Sequence, residues 1–162
     1  MKNNILVSLT LLLFFTQNVF SQILEPISWK FSVDSSEFET SGALNLIFTP
    51  TTELGWYIYS SDNDPDSGPR TEFEFYTNKT YTIVGEIIPL NVKTKFDEVW
   101  DANVRYLDNK GSFGQKIIPS DNTPSISGYI SYQVCSEIEK MCIPLEKDFV
   151  FFNSDTRDNI SF

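Results

Sequence analysis

The chain has 162 residues, two cysteines, no histidine and a formal net charge of −10 at pH 7. The acidic excess argues against a nucleic-acid partner, because phosphate contacts need clustered Lys and Arg. Without histidine there is no Ser-His or Cys-His nucleophile pair and no His-ligated metal, and two cysteines alone cannot form a structural zinc site. Chemistry at the cysteine pair must therefore be thiol chemistry or none, and we predict neither a metal nor a separate cofactor.

Residues 1–21 have the pattern of a secretory signal peptide. Lys2 precedes an apolar stretch at 5–15, and Ser21 supplies a small residue before the expected cleavage point. Polar residues interrupt the apolar stretch, which is too short to span a bilayer comfortably, so a retained membrane anchor is the weaker interpretation. We expect a periplasmic or secreted protein, in a compartment where disulfides form and persist. The mature chain, 22–162, has the size of one domain.

Apolar and polar residues alternate in short segments from residue 27 onward, which is typical of β-strands. The first three predicted strands lie at 29–33, 43–49 and 55–60, with a turn at 50–53. Segment 61–70 is dense in turn-forming residues and predicts an exposed loop. Its aspartates lack the offsets of an EF-hand, so we predict no metal site there.

The later strands are predicted in pairs joined by polar links. Strands at 71–76 and 81–87 are followed by a long, mostly polar connection at 89–102, and Asp108 to Gly111 gives a hairpin-turn signal. The remaining predicted strands are 104–107, 112–118, 128–134 and 143–152. About nine short strands without a helical stripe predict one immunoglobulin-like antiparallel β-sandwich at 22–152, with a closed barrel as the alternative. The polar segment 153–162 is expected to fray.

The two cysteines, Cys135 and Cys142, lie near the ends of the last two predicted strands. Counting by two puts Ile130, Tyr132 and Val134 on the apolar face of the first of these strands, so Cys135 falls on the other face. The same count places Cys142 opposite the apolar face of the final strand. We therefore expect both sulfurs to leave the core side together, joined across the base of a short hairpin.

Residues alone leave two roles open for this pair. Most disulfides of exported proteins are structural. A loop this small, however, stabilises by only about 2.5 kcal/mol in the chain-entropy estimate, whereas a link between distant strands gives about 4 to 5 kcal/mol. A structural staple and a redox-active pair are both compatible with the spacing. The charges near Cys142 do not decide between them, because Lys140 favours a thiolate and Glu137, Glu139 and Glu146 oppose it.

The cysteine motif resembles the N-terminal periplasmic domain of the DsbD family of thiol:disulfide interchange proteins. The resemblance lies in Tyr132-Gln133-Val134-Cys135, followed after a short loop by Cys142-Ile143-Pro144. Upstream segments look like that domain's other recurring segments in the expected order, namely Gly55-Trp56-Tyr57-Ile58-Tyr59-Ser60, Gly68-Pro69 and Phe96-Asp97-Glu98-Val99-Trp100. The resemblance covers roughly residues 27–152 and implies an immunoglobulin-like fold with a redox-active cysteine pair.

The resemblance also implies a role for each site residue. Cys142 matches the cysteine that forms mixed disulfides with partners, and Cys135 the cysteine that resolves them. The segment Asp97, Glu98, Val99 and Trp100 resembles a cap loop that shields the pair, with Val99 or Trp100 as the shielding side chain. Tyr132 would form part of the wall of the site.

The chain departs from the family pattern in three ways. The spacing between its cysteines is one residue longer than in the best-known members, and Leu145 replaces the usual second proline. Val99 occupies a cap position that often carries an aromatic side chain. The sequence also contains neither the transmembrane domain nor the thioredoxin-like domain that normally accompanies this one. We therefore expect its partners to be thioredoxin-like exported proteins and a separate membrane thiol carrier. The alternative is a secreted binding module in which Cys135–Cys142 is only a structural disulfide.

Overall fold

The structure, a computed structural model, describes residues 24–66, 68–120 and 124–151. The expected signal peptide at 1–21 and the polar tail at 153–162 lie outside them. Within the described ranges, no helix is long and apolar enough to cross a membrane. The elements in these ranges are, in chain order, β1 Ile27–Asp34, α1 Phe38–Ser41, β2 Leu44–Thr52, β3 Trp56–Tyr59, β4 Glu72–Phe75, β5 Tyr81–Leu90, β6 Lys93–Asp97, β7 Ala102–Leu107, β8 Ser112–Pro119, β9 Ile126–Ser136 and β10 Met141–Phe151.

The strands form two antiparallel sheets. The four-stranded sheet has the order β1-β2-β8-β5, and the six-stranded sheet has the order β10-β9-β3-β7-β6. The long strand β9 also pairs with β4, because β3 and β4 lie end to end along the same side of it. The predicted immunoglobulin-like antiparallel β-sandwich is therefore confirmed, and two separate sheets replace the alternative of a closed barrel.

The core lies between the facing sides of the two sheets and is rich in phenylalanine. Phe48 of the four-stranded sheet is fully buried, and its ring meets four rings of the opposite sheet with centroid separations of 5.0 to 6.2 Å. Edge-to-face contacts of this kind add to the free energy gained from burial. Period-two alternation supplies the apolar face of β2 as predicted, with Leu44, Leu46 and Phe48 all buried.

Two segments that were predicted as connections between strands contain residues of β-strands. The turn expected at 50–53 is wrong, because β2 continues through Thr52 and Pro50 pairs with Trp29 of β1. Proline is tolerated there because the pairing of β2 with β8 ends at Phe48, so the missing N–H faces an open edge. The connection expected at 89–102 is also wrong, because β5 extends to Leu90 and β6 follows. Among the described residues β6 is an edge strand that pairs with β7 alone. Its mostly polar sequence lacks the apolar alternation by which a strand is predicted.

The hairpin predicted at Asp108 to Gly111 is wrong as well. The four residues do form a tight turn, in which the Gly111 N–H donates to the Asp108 carbonyl at 2.9 Å. The strands on either side belong to different sheets, so the turn crosses from one layer to the other. The side chain of Asn109 fixes this crossing, because its Oδ1 accepts a hydrogen bond of 2.9 Å from the hydroxyl of Thr52.

Candidate functional site

The cysteine pair closes the hairpin formed by β9 and β10. Cys135 and Cys142 are directly opposite each other in the ladder, and their sulfurs form a disulfide with the Cα atoms 4.1 Å apart. The turn at 137–140 brings the strands together. Its last residue, Lys140, has a positive φ of 55°, and the Lys140 N–H donates to the Ser136 carbonyl at 3.1 Å. The expectation of a bond across the base of a short hairpin agrees with this geometry.

The two sulfurs occupy different environments. Cys135 is 1% exposed and belongs to a small cluster with Tyr57, Tyr59 and Val104, on the face of the six-stranded sheet that points away from the core. Cys142, in contrast, is exposed to solvent. Cys135 therefore lies on the outer face of the sheet, as predicted. A second, smaller cluster covers it there. An incoming thiolate has access to Cys142, whereas Cys135 is shielded.

Three tyrosines that were not predicted as site residues form the aromatic surface beside the disulfide. Tyr57 of β3 is paired with Cys135 of β9, so their side chains lie on the same face. The Tyr57 ring is 5.6 Å from that of Tyr59 and 5.3 Å from that of Tyr106. The alternation in β3 carried the signal, because Trp56 and Ile58 face the core and Tyr57 and Tyr59 must then face outward.

Tyr132 does not form a wall of the site, which corrects the expectation from the motif. It is buried in the main core, and its ring makes an edge contact with Trp29 at 5.3 Å. The reason is the period of the strand: Tyr132 and Cys135 are three positions apart on β9 and so point to opposite faces. Tyr57 and Tyr59 take the place that Tyr132 was expected to fill.

A cleft of about 530 Å³ connects the disulfide with the predicted cap segment. Asp97 ends β6, and residues 98–101 form the turn into β7, so the cap is the tip of an edge hairpin. The structure thus brings the cap segment and both cysteines to one place. The cleft is lined by Tyr57, Tyr59, Lys95, Phe96, Asp97, Glu98, Val99, Trp100, Cys135, Ser136, Glu137, Lys140, Met141 and Cys142.

Asp97 anchors the cap tip to the sheet. Its carboxylate accepts a hydrogen bond of 2.9 Å from the Tyr59 hydroxyl and one of 3.0 Å from the Val99 N–H. Burial, together with hydrogen bonds to Tyr57 and Asp97, raises the pKa of the Tyr59 hydroxyl far above its ordinary value. Tyr59 is therefore protonated at physiological pH and acts as a donor to Asp97.

The side chains at the tip of the cap, Val99 and Trp100, are largely exposed to solvent. Val99 is 85% exposed and extends into solvent. Trp100 is 47% exposed, and its indole packs beside Gly68, where an added Cβ would lie 3.4 Å from the Trp100 Cγ. Shielding of the pair by either side chain stays a prediction.

Lys95 brings a cation into the cleft. Its ammonium nitrogen lies 3.4 Å from the centroid of the Tyr57 ring and 3.0 Å from Oε1 of Glu137 in the hairpin turn. Burial lowers the pKa of this ammonium group, but the interactions with Tyr57 and Glu137 outweigh burial and raise the pKa above its ordinary value. Lys95 is therefore charged at physiological pH.

The anchor of the cap can be tested with Tyr59→Phe. The substitution removes the donor to a buried carboxylate, so we expect the free energy of unfolding to fall by about 1–3 kcal/mol. We also expect faster hydrogen exchange at the Val99 amide, since the same carboxylate holds that N–H. Urea unfolding and amide exchange measure the two effects. Tyr106→Phe is the matched control, because it removes a neighbouring hydroxyl and leaves the Tyr59–Asp97 bond; equal effects of both substitutions would contradict the assignment.

Together, the fold and the site define an immunoglobulin-like domain with a disulfide in a surface cleft. This fold is that of the N-terminal domain of DsbD from Neisseria meningitidis in its reduced form, with a TM-score of 0.50 and 15% identity over 81% of this chain and 90% of that one. The N-terminal periplasmic domain of ScsB from Proteus mirabilis is also similar, with a TM-score of 0.54 and 13% identity over 80% of this chain and 47% of that one.

A third similar structure contains a partner. It is the complex between the DsbD N-terminal and PilB N-terminal domains of Neisseria meningitidis, with a TM-score of 0.52 and 13% identity over 82% of this chain and 90% of that one. No family model and no curated protein sequence matches the chain. The resemblance seen in the sequence motifs is thus confirmed at the level of the fold.

Proposed function

We propose that this chain is an exported thiol–disulfide interchange domain, which passes electrons through the Cys135–Cys142 pair as a protein-disulfide oxidoreductase. The observation that carries the proposal is the asymmetry of the bond, with an exposed sulfur at Cys142 and a covered one at Cys135. Exchange through a mixed disulfide requires one sulfur that a partner can reach and a second that is held beside it. The fold of the neighbouring structures supports the same function.

Reduction of the domain would proceed in two steps. A donor thiolate attacks the sulfur of Cys142, the Cys135–Cys142 bond breaks, and its electron pair leaves on Cys135, which takes up a proton. A second donor thiolate then attacks the donor sulfur of the mixed disulfide, which releases Cys142 as a thiolate and the donor as a disulfide. In the delivery direction, the Cys142 thiolate attacks a substrate disulfide, and Cys135 then displaces the reduced substrate.

The partners that fit this chemistry are thioredoxin-like exported proteins, with a separate membrane thiol carrier as the source of electrons. The complex of the Neisseria DsbD and PilB N-terminal domains supports a protein partner for a domain of this fold. The periplasmic ScsB domain supports a location outside the cytoplasm. The cysteine pair is itself the redox group, so the proposed reaction uses no further cofactor.

The reduction potential tests the proposal directly. We expect a value above about −300 mV, because structural disulfides of exported proteins have potentials below this. We also expect the oxidised domain to be reduced by a reduced thioredoxin-like protein, measured by trapping free thiols with a maleimide. Cys142→Ser is the control, because it has no Cys135–Cys142 disulfide and its labelling should not depend on the donor. A potential below about −300 mV, with no exchange against the thioredoxin-like protein, would contradict the proposal.

The competing candidate is a secreted β-sandwich binding module with a structural disulfide. The observation that favours it lies on β5, an edge strand whose side chains Ile83, Val84, Ile88 and Leu90 are exposed. This candidate predicts that Cys142→Ser lowers the free energy of unfolding by about 2.5 kcal/mol and that no mixed disulfide forms. The variant Cys135→Ser separates the two candidates, because only an interchange domain would leave a partner covalently attached to Cys142.

A further inference from the structure

Lys95 places a positive charge next to the shielded cysteine. Its ammonium group lies over the ring of Tyr57, at 3.4 Å from the centroid. Tyr57 is the residue paired with Cys135 on the adjacent strand, and paired side chains in an antiparallel ladder have Cβ atoms about 4.5–5.5 Å apart. The ammonium group of Lys95 therefore lies on the same face of the sheet as Cys135, and the Tyr57 side chain lies between them.

The surroundings of Cys135 are otherwise unfavourable to a thiolate. Cys135 is almost completely buried, and its cluster consists of tyrosine rings and Val104. Removal from water disfavours the charged form of a thiol. The titratable and charged groups that face Cys135 in the described part of the chain are Tyr57 and Tyr59 of β3, Lys95 and Asp97 of β6, Tyr106 of β7, Glu98 of the cap tip, and Glu137 and Lys140 of the hairpin turn.

The charge of Lys95 is not cancelled by its ion pair with Glu137. The Lys95 side chain is 22% exposed and the Glu137 side chain 57% exposed, so the carboxylate is the outer member of the pair. Solvent and salt screen an exposed charge more strongly than a partly buried one. Of the other nearby acids, Asp97 is engaged by Tyr59 and by the Val99 N–H, and Glu98 is exposed to solvent. The least screened charge on this face of the sheet is therefore the positive charge of Lys95.

We propose that Lys95 is a positioning residue for thiol exchange: its ammonium group, held over Tyr57, stabilises the Cys135 thiolate that resolves the mixed disulfide. The inference rests on the proposed function. In the resolving step the Cys135 thiolate attacks the Cys142 sulfur, the Cys135–Cys142 bond forms, and the bond from Cys142 to the partner breaks. The electron pair of that bond leaves with the partner sulfur, which is reduced and takes up a proton.

Titration of Cys135 tests the charge effect without any partner. In a Cys142→Ser background Cys135 is the sole thiol of the chain, and the ultraviolet absorbance of its thiolate is followed against pH. Adding Lys95→Met is expected to move the titration midpoint up by about one pH unit, the size of shift produced by an opposite charge at short range. Lys95→Arg keeps the charge and should leave the midpoint near that of the background.

Lys93→Met is the matched control, because Lys93 is two residues along the same strand, is paired with Asp108 and does not line the cleft. It should leave the midpoint unchanged. If Lys95→Met does not fold, as judged by urea unfolding, Lys95→Gln takes its place. Equal midpoints for the Lys95 and Lys93 variants would overturn the proposal.

Glu137→Gln distinguishes the charge effect from a structural tie between β6 and the hairpin. Loss of the carboxylate removes a negative charge from the same cleft and leaves that of Lys95 in place, so we expect the Cys135 midpoint to move down, opposite to the effect of Lys95→Met. A purely structural tie would be broken by either substitution and would move both midpoints in the same direction. That result would overturn the proposal.

The resolving step itself is measured in the protein with both cysteines, after its disulfide has been reduced with a dithiol and the dithiol removed. An aromatic disulfide reagent that releases a coloured thiol reacts first at Cys142, and its second release reports attack by Cys135. Lys95→Met should slow the second phase about threefold at neutral pH, since a tenfold loss of thiolate is partly offset by the higher nucleophilicity of a more basic thiolate. An unchanged second phase would contradict the role of Lys95. Failure of the proposed function is distinct, because it appears in wild type as absence of exchange with a thioredoxin-like donor.

Discussion

Cys135→Ser is expected to leave partner proteins covalently attached to Cys142. Serine cannot displace the partner, so the mixed disulfide then breaks only by attack of dilute thiols from solution instead of the neighbouring sulfur. We expect its lifetime to rise by at least about a hundredfold, given how strongly a well-oriented intramolecular attack is favoured. The complex is measured in the native exported fraction by electrophoresis with and without a reductant.

Cys142→Ser is the matched control for the trap. It leaves the buried Cys135 as the remaining thiol, and we expect little or no mixed disulfide because a partner disulfide cannot reach that sulfur. Trapping through both variants to the same extent would contradict the assignment of separate roles. Absence of a complex with either variant would favour the structural disulfide of the competing candidate.

Gly128→Ala is expected to have the largest effect on stability. A Cβ at this position would overlap the Glu74 carbonyl oxygen and lie 2.6 Å from Cζ of Phe149. The backbone oxygen cannot turn aside as a flexible side chain can, so β4 must separate from β9 or the Phe149 ring must leave the core. We expect the free energy of unfolding to fall by about 3 kcal/mol or more, measured by urea unfolding.

Gly114→Ala is the control for this prediction. Gly114 also lies inside a strand, but a Cβ there would meet Ile47 at 3.8 Å, which is an ordinary contact. Since alanine also fits a strand backbone, the change should be within about 0.5 kcal/mol. A similar loss of stability at both glycines would show that the close approach of β4 to β9 does not limit the fold.

The fold was predictable because most strands face the core on one side and the outside on the other. Alternation placed Leu44, Leu46 and Phe48 on the inner face, and the same count assigned Cys135 to the outer one. The edge strand β6 could not be predicted from alternation, because its sequence, Lys-Thr-Lys-Phe-Asp, buries little apolar surface. Alternation in a sequence reports burial, and an edge strand with little burial gives almost no signal.

The candidate site was predictable only in part. The cysteines and the cap segment are recognisable because each is a local sequence motif. Tyr57 reaches the site through the pairing of β3 with β9, which joins residues far apart in the chain and leaves no local trace. Tyr132 was placed wrongly for the converse reason, because it is a neighbour of Cys135 in sequence and on the opposite face of the strand.

The opposite faces of β9 also constrain how this domain can change by insertion and deletion. Val134 faces the core and Cys135 the cleft, so one residue inserted within the strand would exchange the two sets of side chains. A residue added to the turn at 137–140 leaves the ladder in register. A change of chain length in this hairpin is therefore compatible with the fold in the turn and not within the strand.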